Sequence, residues 1–215
     1  MSEFWDTDLQ QTVRNTRKLV QRQTRARDVT DWLEDYAEIG PPSSNQGTAN
    51  VPFQRWFHFK EAFSPKFVAD VLASLPYRVE RCLDPFGGSG TTALTCRMLG
   101  INSTTVEVNP FLADLIRTKL APLSPSSFCA KYERILSTLV IRKADEALIA
   151  GMPATLKEPG VSGKFVFSAD VYSTARAILR RSNYLHEDQA RLLRILLGSV
   201  LVANSNVTIN GKGRR

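Results

Sequence analysis

The sequence predicts an α/β protein in which short parallel strands alternate with helices. Two segments typical of strands, RVERCLD (78–84) and STTVEV (103–108), are each followed by a turn and then by a helical pattern. A glycine-rich turn, GGSG (87–90), separates the first strand from its helix. Such units build parallel, doubly wound sheets that bind ligands at the carboxyl ends of their strands. Because two strands do not complete a sheet, we expect a partial Rossmann-like fold.

Residues suited to helix caps stand before two helices of this unit. Ser64 and Asn109 can each accept a hydrogen bond from an amide of the first turn, and each precedes a proline, which is favoured at the first helical position. Gly100 ends the helix between the strands. The pattern predicts helices at about 65–75, 91–99 and 110–121.

The chain is expected to divide into four parts. These are a helical N-terminal extension (1–40), a linker rich in Pro, Ser and Gly (41–50), the α/β core (51–123), and a helical segment with a basic tail (124–215). In the last part we expect helices at 126–149, 169–181 and 187–203, a short strand KFVF (164–167) and a loop-like ending, NSNVTINGKGRR (204–215).

Composition narrows the class of protein. With 215 residues, of which 43% are hydrophobic, the chain can bury a core. Its longest apolar run (192–202) is interrupted by Arg194 and Gly198 and is too short for a membrane span. The polar start MSEFWDTDLQQ does not resemble a signal peptide, so we expect a cytoplasmic protein. The three cysteines have no spacing typical of disulfides or metal sites, and no metal is expected.

Basic residues are concentrated toward the C-terminal end. The net charge of +7 and this asymmetry favour contact with a polyanion such as DNA, although a solvated helix face explains the same charges. The candidate residues for DNA contact are Arg180, Arg181, Lys212, Arg214 and Arg215.

The glycine turn is compatible with two of three nucleotide-type ligands. A P-loop needs a Lys after its last glycine, but Gly90 is followed by Thr91, which excludes a nucleoside triphosphate site. The G-x-G-x-x-A pattern of dinucleotide-binding turns is present, formed by Gly88, Gly90 and Ala93, and Glu107 lies close to the distance expected for an acid that binds a ribose. A dinucleotide therefore stays open as a ligand.

Asp84 favours a different ligand over a dinucleotide. Asp84 ends the first strand, where a carboxylate would repel a pyrophosphate but would attract a ligand amine. S-adenosylmethionine has such an amine together with a sulfonium, a ribose and an adenine. In this interpretation Glu107 accepts the ribose hydroxyls, Gly88 and Gly90 allow close approach of the backbone, and Phe86 contacts the cofactor.

Three segments resemble motifs of one enzyme family. DPFGGSGTT (84–92) resembles the cofactor-binding motif of DNA amino-methyltransferases, the restriction–modification enzymes that methylate the exocyclic amine of cytosine (N4) or adenine (N6). KEAFSPKF (60–67) is similar to the segment that closes over the methionine end, and VEVNP (106–110) is similar to the ribose-binding motif. The resemblance implies an S-adenosylmethionine site formed by Asp84, Pro85, Phe86, Gly88, Gly90, Thr91, Glu107, Asn109, Lys60, Phe63 and Ser64.

The chain departs from this family in its catalytic motif. These enzymes need Asp, Asn or Ser, then Pro-Pro, then an aromatic residue, to accept the hydrogens of the base amine and to stack on the flipped base. The only Pro-Pro here is Pro41-Pro42, which lies between Gly40 and Ser43. We therefore expect no catalytic residue in this chain and a second polypeptide that contributes the motif.

Three other functions stay open on the sequence. The chain could be a non-catalytic relic or regulatory subunit with the same fold. It could be a basic DNA-binding module in which the α/β unit is a scaffold, and its DNA affinity would then be indifferent to cofactor. It could also be a dinucleotide-dependent oxidoreductase.

Overall fold

A computed structural model describes residues 52–141 and 151–207, together with the backbone of two short C-terminal strands. The predicted N-terminal extension (1–40) and linker (41–50) lie outside the described residues. After a short 3-10 helix at Gln54–Trp56, the elements in chain order are α1 (Pro65–Ser74), β1 (Arg81–Asp84), α2 (Thr91–Met98), β2 (Asn102–Thr105), α3 (Pro110–Leu120), α4 (Pro125–Ser137), α5 (Ala169–Ser182), α6 (Glu187–Leu201), β3 (Ile209–Asn210) and β4 (Gly213–Arg214).

Strands β1 and β2 form a small parallel sheet, connected through α2. Their register runs from Arg81 opposite Asn102 to Asp84 opposite Thr105. The Val106 amide then donates to the Asp84 carbonyl at 2.9 Å, and this hydrogen bond extends the pairing of the two segments just beyond β2. The mixed helix and strand architecture with a parallel pair is confirmed, but both strands are shorter than the sequence predicts.

The predicted caps form and set the starts of their helices. The Ser64 hydroxyl accepts from the Phe67 amide at 3.3 Å, and the Asn109 side chain accepts from the Phe111 amide at 2.9 Å. Helix α2 begins directly after Gly90, which adopts the left-handed conformation with φ of 80°. The two side-chain caps and the left-handed Gly90 explain why the predicted starts of α1, α3 and α2 are correct.

The described core joins the α/β unit to the C-terminal helices. Leu112 and Leu115 of α3 are buried against Ile195 of α6, and an aromatic segment before α1 packs on them through Trp56, Phe57 and Phe59. A second cluster joins α4 to α6 and contains Phe128, Ile135, Leu192 and Leu193. Helix α6 is therefore packed on helices and not on the sheet. None of the helices in the described residues is long and apolar enough to span a membrane.

The prediction of a helix at 126–149 is wrong about where the helix ends. Helix α4 stops at Ser137, where the Thr138 amide and hydroxyl both donate to the Arg134 carbonyl, at 3.2 and 2.8 Å. Two β-branched residues, Val140 and Ile141, follow closely, and such residues lose side-chain freedom in a helix. Residues 142–150 lie outside the described part.

Two smaller predictions about strands are also wrong. KFVF (164–167) forms no strand, because Lys164 and Phe167 make only isolated bridges, to Val161 and Lys157. The ending predicted as loop instead contains β3 and β4, which pair antiparallel. Pairing over two residues leaves no hydrophobic alternation that a sequence pattern could show.

Replacing Gly90 by alanine should destabilise the protein more than replacing Gly100. Alanine at positive φ costs about 1–2 kcal/mol, and this applies at both sites, with φ of 80° and 71°. At Gly90 a Cβ would also lie 2.7 Å from Ile116 Cγ1, whereas no described atom lies within 4 Å at Gly100. Overpacking adds roughly 1–3 kcal/mol. Equal losses of unfolding free energy for Gly90→Ala and Gly100→Ala in urea titrations would contradict the close contact with α3.

Candidate functional site

The turn between β1 and α2 lies at the carboxyl end of the sheet and fits tightly against β2. The Gly87 amide donates to the Val106 carbonyl at 2.9 Å, and the Gly90 amide donates to the Gly87 carbonyl at 2.8 Å. A Cβ at Gly87 would overlap with the Thr105 methyl group, so a side chain cannot be accommodated there. The glycines therefore allow the main chain of the turn to lie close to β2, and the Gly87 and Gly90 amides are hydrogen-bonded to backbone carbonyls.

Asp84 has one carboxylate oxygen that is used and one that is not. Its Oδ1 accepts from the Phe86 amide at 3.0 Å, which shapes the start of the turn. Its Oδ2 is buried and has no hydrogen-bond partner among the described residues, and the same holds for Oγ1 of Thr105, which stands opposite Asp84 in the sheet. Buried polar atoms are nearly always paired, so an unpaired carboxylate oxygen at a strand end indicates a missing donor.

Glu107 links the glycine turn to the start of α3. Its Oε2 accepts from the Gly88 amide at 2.7 Å and its Oε1 accepts from the Asn109 amide at 2.8 Å. The carboxylate is thus held in one orientation by two backbone groups. A carboxylate has about four acceptor positions, so each oxygen of Glu107 can accept one more hydrogen bond.

The ring of Phe59, which we call the aromatic wall, borders the turn on the side of the segment that precedes α1. A Cβ at Gly88, which has φ of 52°, would lie 3.1 Å from Phe59 Cε1. Phe86 projects from the turn and is 86% exposed, so nothing in the described residues explains it by packing. The aromatic residue that the structure brings to the turn from the preceding segment is therefore Phe59, which the sequence analysis did not single out.

The other predicted cofactor residues have mixed placements. Thr91 is buried at the start of α2, Asn109 caps α3, and Pro85 is exposed in the turn. In the segment before the motif, Ser64 caps α1, Phe63 packs on Phe67 with ring centroids 5.9 Å apart, and Lys60 is exposed. The predicted residues that the structure brings together around the turn are Asp84, Phe86, Gly88, Gly90, Glu107 and Asn109, and their binding roles stay predictions.

Lys119 is a residue of this site that sequence reasoning missed. It lies near the end of α3 with 3% exposure, and its Nζ donates to the Ser89 carbonyl at 2.7 Å and to Gln54 Oε1 at 3.0 Å. Burial lowers the pKa of Lys119 to about 7. Its spacing gives a usable signal, because 119 falls on the same helical face as the buried residues Leu112, Leu115 and Ile116.

The residues predicted to contact DNA are far in sequence from Asp84 and Glu107. Arg180 and Arg181 are in the last turn of α5, and Arg181 Nη2 donates to the Thr138 carbonyl at 3.0 Å. Nothing is described for the side chains of Lys212, Arg214 and Arg215. Within residues 52–141 and 151–207, no group of three or more His, Cys, Asp or Glu side chains could hold a metal ion.

Comparison with known proteins finds similarity to type II methyltransferases. The chain is 40% identical over 68 residues to the type II methyltransferase M.BsoBI of Geobacillus stearothermophilus, a match that covers 31% of this chain and 13% of that protein. It is 36% identical over 77 residues to the type II methyltransferase M.AvaI of Nostoc sp. and of Anabaena variabilis, covering 35% of this chain and 16% of each relative. No family profile and no solved structure matches the chain.

These matches cover well under two thirds of the relatives' own length. Within that part, the resemblance to restriction–modification methyltransferases that the motifs predict is confirmed.

Proposed function

We propose that this chain is the S-adenosylmethionine-binding part of a DNA methyltransferase with a Rossmann-like fold, acting on the exocyclic amine of cytosine (N4) or adenine (N6). The observation that supports this most directly is the buried, unpaired Oδ2 of Asp84 at the end of β1, beside a glycine turn. The similarity to type II methyltransferases over about a third of the chain supports the same class of enzyme.

The residues around the turn fit the chemical groups of this cofactor. S-adenosylmethionine, when bound, supplies a methyl group on a positively charged sulfur. Asp84 can accept a hydrogen bond from the methionine ammonium through the oxygen that lacks a partner. Glu107 is held by the Gly88 and Asn109 amides and keeps acceptor positions for ribose hydroxyls. The exposed Phe86 ring provides a flat apolar face for the adenine or the methionine chain.

The same geometry disfavours a dinucleotide. In dinucleotide-binding turns the backbone amides of the turn bind the pyrophosphate. Here the Gly88 amide donates to Glu107 at 2.7 Å, and the carboxylates of Asp84 and Glu107 both belong to the site. The Asp84 carboxylate at the strand end would repel a pyrophosphate and would attract a cation, whereas Glu107 suits the ribose of either ligand.

The exposed sheet supports a complementary polypeptide. Parallel sheets are normally covered on both faces, but Leu83 is 67% exposed, and beyond β2 Val106 and Val108 are 51% and 94% exposed. A second chain that adds strands to this sheet would cover these residues and would contribute the Asp, Asn or Ser, Pro-Pro, aromatic motif. The catalytic tetrapeptide, and with it the choice between cytosine and adenine, would then belong to that chain.

Removing the charge of Asp84 should weaken binding of S-adenosylmethionine by about 10- to 100-fold, because a hydrogen bond to a charged group contributes ~1.5–3 kcal/mol. Asp84→Asn is the informative variant, since its Oδ1 can still accept from the Phe86 amide. Asp170→Asn makes the same chemical change at an exposed position in the first turn of α5 and should leave the Kd unchanged. Isothermal titration calorimetry measures both.

NAD⁺ serves as the competing ligand in that titration. We expect wild-type protein to bind S-adenosylmethionine and not NAD⁺. Binding of NAD⁺ in place of S-adenosylmethionine would refute the methyltransferase proposal in favour of a dinucleotide enzyme, and equal Kd values for wild type and Asp84→Asn would refute the role of Asp84.

A complementary chain should convert cofactor binding into methyl transfer. We expect transfer of labelled methyl groups to DNA when the protein is mixed with the product of the adjacent reading frame, and none from the protein alone. Leu83→Ser should weaken this association by tenfold or more, because burial of a leucine contributes about 1.5–3 kcal/mol. Val161→Ser, at a residue that is 51% exposed and lies outside the sheet, is the control. A mixture that binds cofactor but transfers no methyl groups would favour the relic or regulatory subunit.

A further inference from the structure

We infer that Lys119 is a positioning residue for the glycine turn (87–90). Its amine bonds to the turn from the buried side and also bonds to Gln54, in the segment that contains Phe59. This inference rests on the proposed function, because it assigns a role in S-adenosylmethionine binding to a residue outside the family motifs. Lys119 is not expected to touch the cofactor, since its Nζ is bonded to Ser89 and Gln54 and its side chain is 3% exposed.

Lys119 bridges three parts of the chain that are far apart in sequence. It belongs to α3, its partner Ser89 belongs to the glycine turn 30 residues earlier, and its partner Gln54 lies 65 residues earlier in the 3-10 helix. Gln54 is itself buried, with 6% exposure. The three segments would lose their common hydrogen-bonded link if the Lys119 amine were removed.

The bond to Ser89 anchors the backbone of the turn between two glycines. Ser89 lies between Gly88 and Gly90, which both have positive φ and which lack side chains that could anchor the backbone. Ile116, one turn earlier on α3, packs against Gly90. Helix α3 therefore contacts the turn at two points, through the packing of Ile116 and through the hydrogen bond of Lys119.

The bond to Gln54 fixes the other side of the site. Gln54 opens the short helix Gln54–Trp56, and the segment that follows brings Phe59 against Gly88. The Gly88 amide in turn holds Glu107, the proposed ribose acceptor. One amine thus sets the turn and the aromatic wall relative to each other, and through Gly88 it influences the orientation of Glu107.

The choice of lysine at this position is energetically costly, which indicates a specific role. Both acceptors of the Lys119 amine are uncharged, and no described carboxylate bonds to it. A second cation, Arg97 of α2, donates to the carbonyl of Leu120, the residue after Lys119. An apolar residue of similar length would avoid this desolvation cost but would leave the turn without its donor.

Lys119→Met tests the inference, because methionine keeps an unbranched chain of similar length and removes the donors. We expect the Kd for S-adenosylmethionine to rise tenfold or more in calorimetric titrations. Lys131→Met is the matched control, since Lys131 Nζ also donates to a glutamine oxygen, Gln189 Oε1, at 2.7 Å, but between α4 and α6. Its Kd should stay within twofold of wild type.

Unfolding measured over a pH series reports how Lys119 contributes to stability, and the Kd of the folded protein then separates positioning from plain stabilisation. The folded pKa of Lys119, about 7, lies below the unfolded value of 10.5, so the unfolded chain binds one more proton between these values. Wild-type stability should rise with pH across this window relative to Lys119→Met, by at most ~1.4 kcal/mol per pH unit, and the difference should be flat below pH 7. A purely structural lysine would shift this curve while leaving the Kd of the folded protein unchanged.

The outcomes distinguish the two proposals. Loss of affinity in Lys119→Met and not in Lys131→Met supports positioning, whereas equal affinity of wild type and a folded Lys119→Met overturns it. Absence of binding by the wild-type protein overturns the proposed function and this role with it. If Lys119→Met does not fold, Gln54→Leu removes one acceptor only, and an unchanged Kd in that variant would overturn the inference.

Discussion

The turn after β1 has no room for side chains at Gly87 and Gly90 because β2 and α3 approach it from two sides. A Cβ at Gly87 would overlap with Thr105, and a Cβ at Gly90 would press on Ile116. This close approach lets the Val106 carbonyl and the Glu107 carboxylate bond to amides of the turn. The position of every proposed cofactor contact, from Asp84 at one end to Glu107 at the other, follows from that approach.

The electrostatics of the site follow from the same geometry. The two carboxylates lie at the ends of adjacent parallel strands, which is where α/β sheets bind ligands. One oxygen of Asp84 has no donor among the described residues, while both oxygens of Glu107 are oriented by backbone amides. The Lys119 amine donates to the Ser89 carbonyl and to Gln54 Oε1, and no described carboxylate bonds to it. The site therefore presents net negative character, which suits a cationic cofactor better than a phosphate.

Features that depend on neighbouring residues in sequence could be predicted, and those that depend on distant residues could not. Ser64 and Asn109 form the predicted caps because each bonds to an amide two or three residues away. The end of α4 was missed because the apolar pattern continues past Thr138 although the helix does not. The helical face of Lys119 indicates burial, but its hydrogen-bond partners Ser89 and Gln54 are 30 and 65 residues away and could not be predicted. The positions of the motif residues could be predicted, but the contacts from Ile116 and Lys119 that hold the turn in place could not.

Hydrogen exchange measured by mass spectrometry on the full chain tests the central claim most directly, since it reports on both ends of the site without any substitution. Saturating S-adenosylmethionine should slow exchange in peptides that cover residues 84–90 and 105–109, because these backbone segments surround the proposed ligand. Exchange in residues 151–168 should stay unchanged. Unchanged exchange in both site segments at saturating cofactor, or protection confined to another part of the chain, would contradict the account.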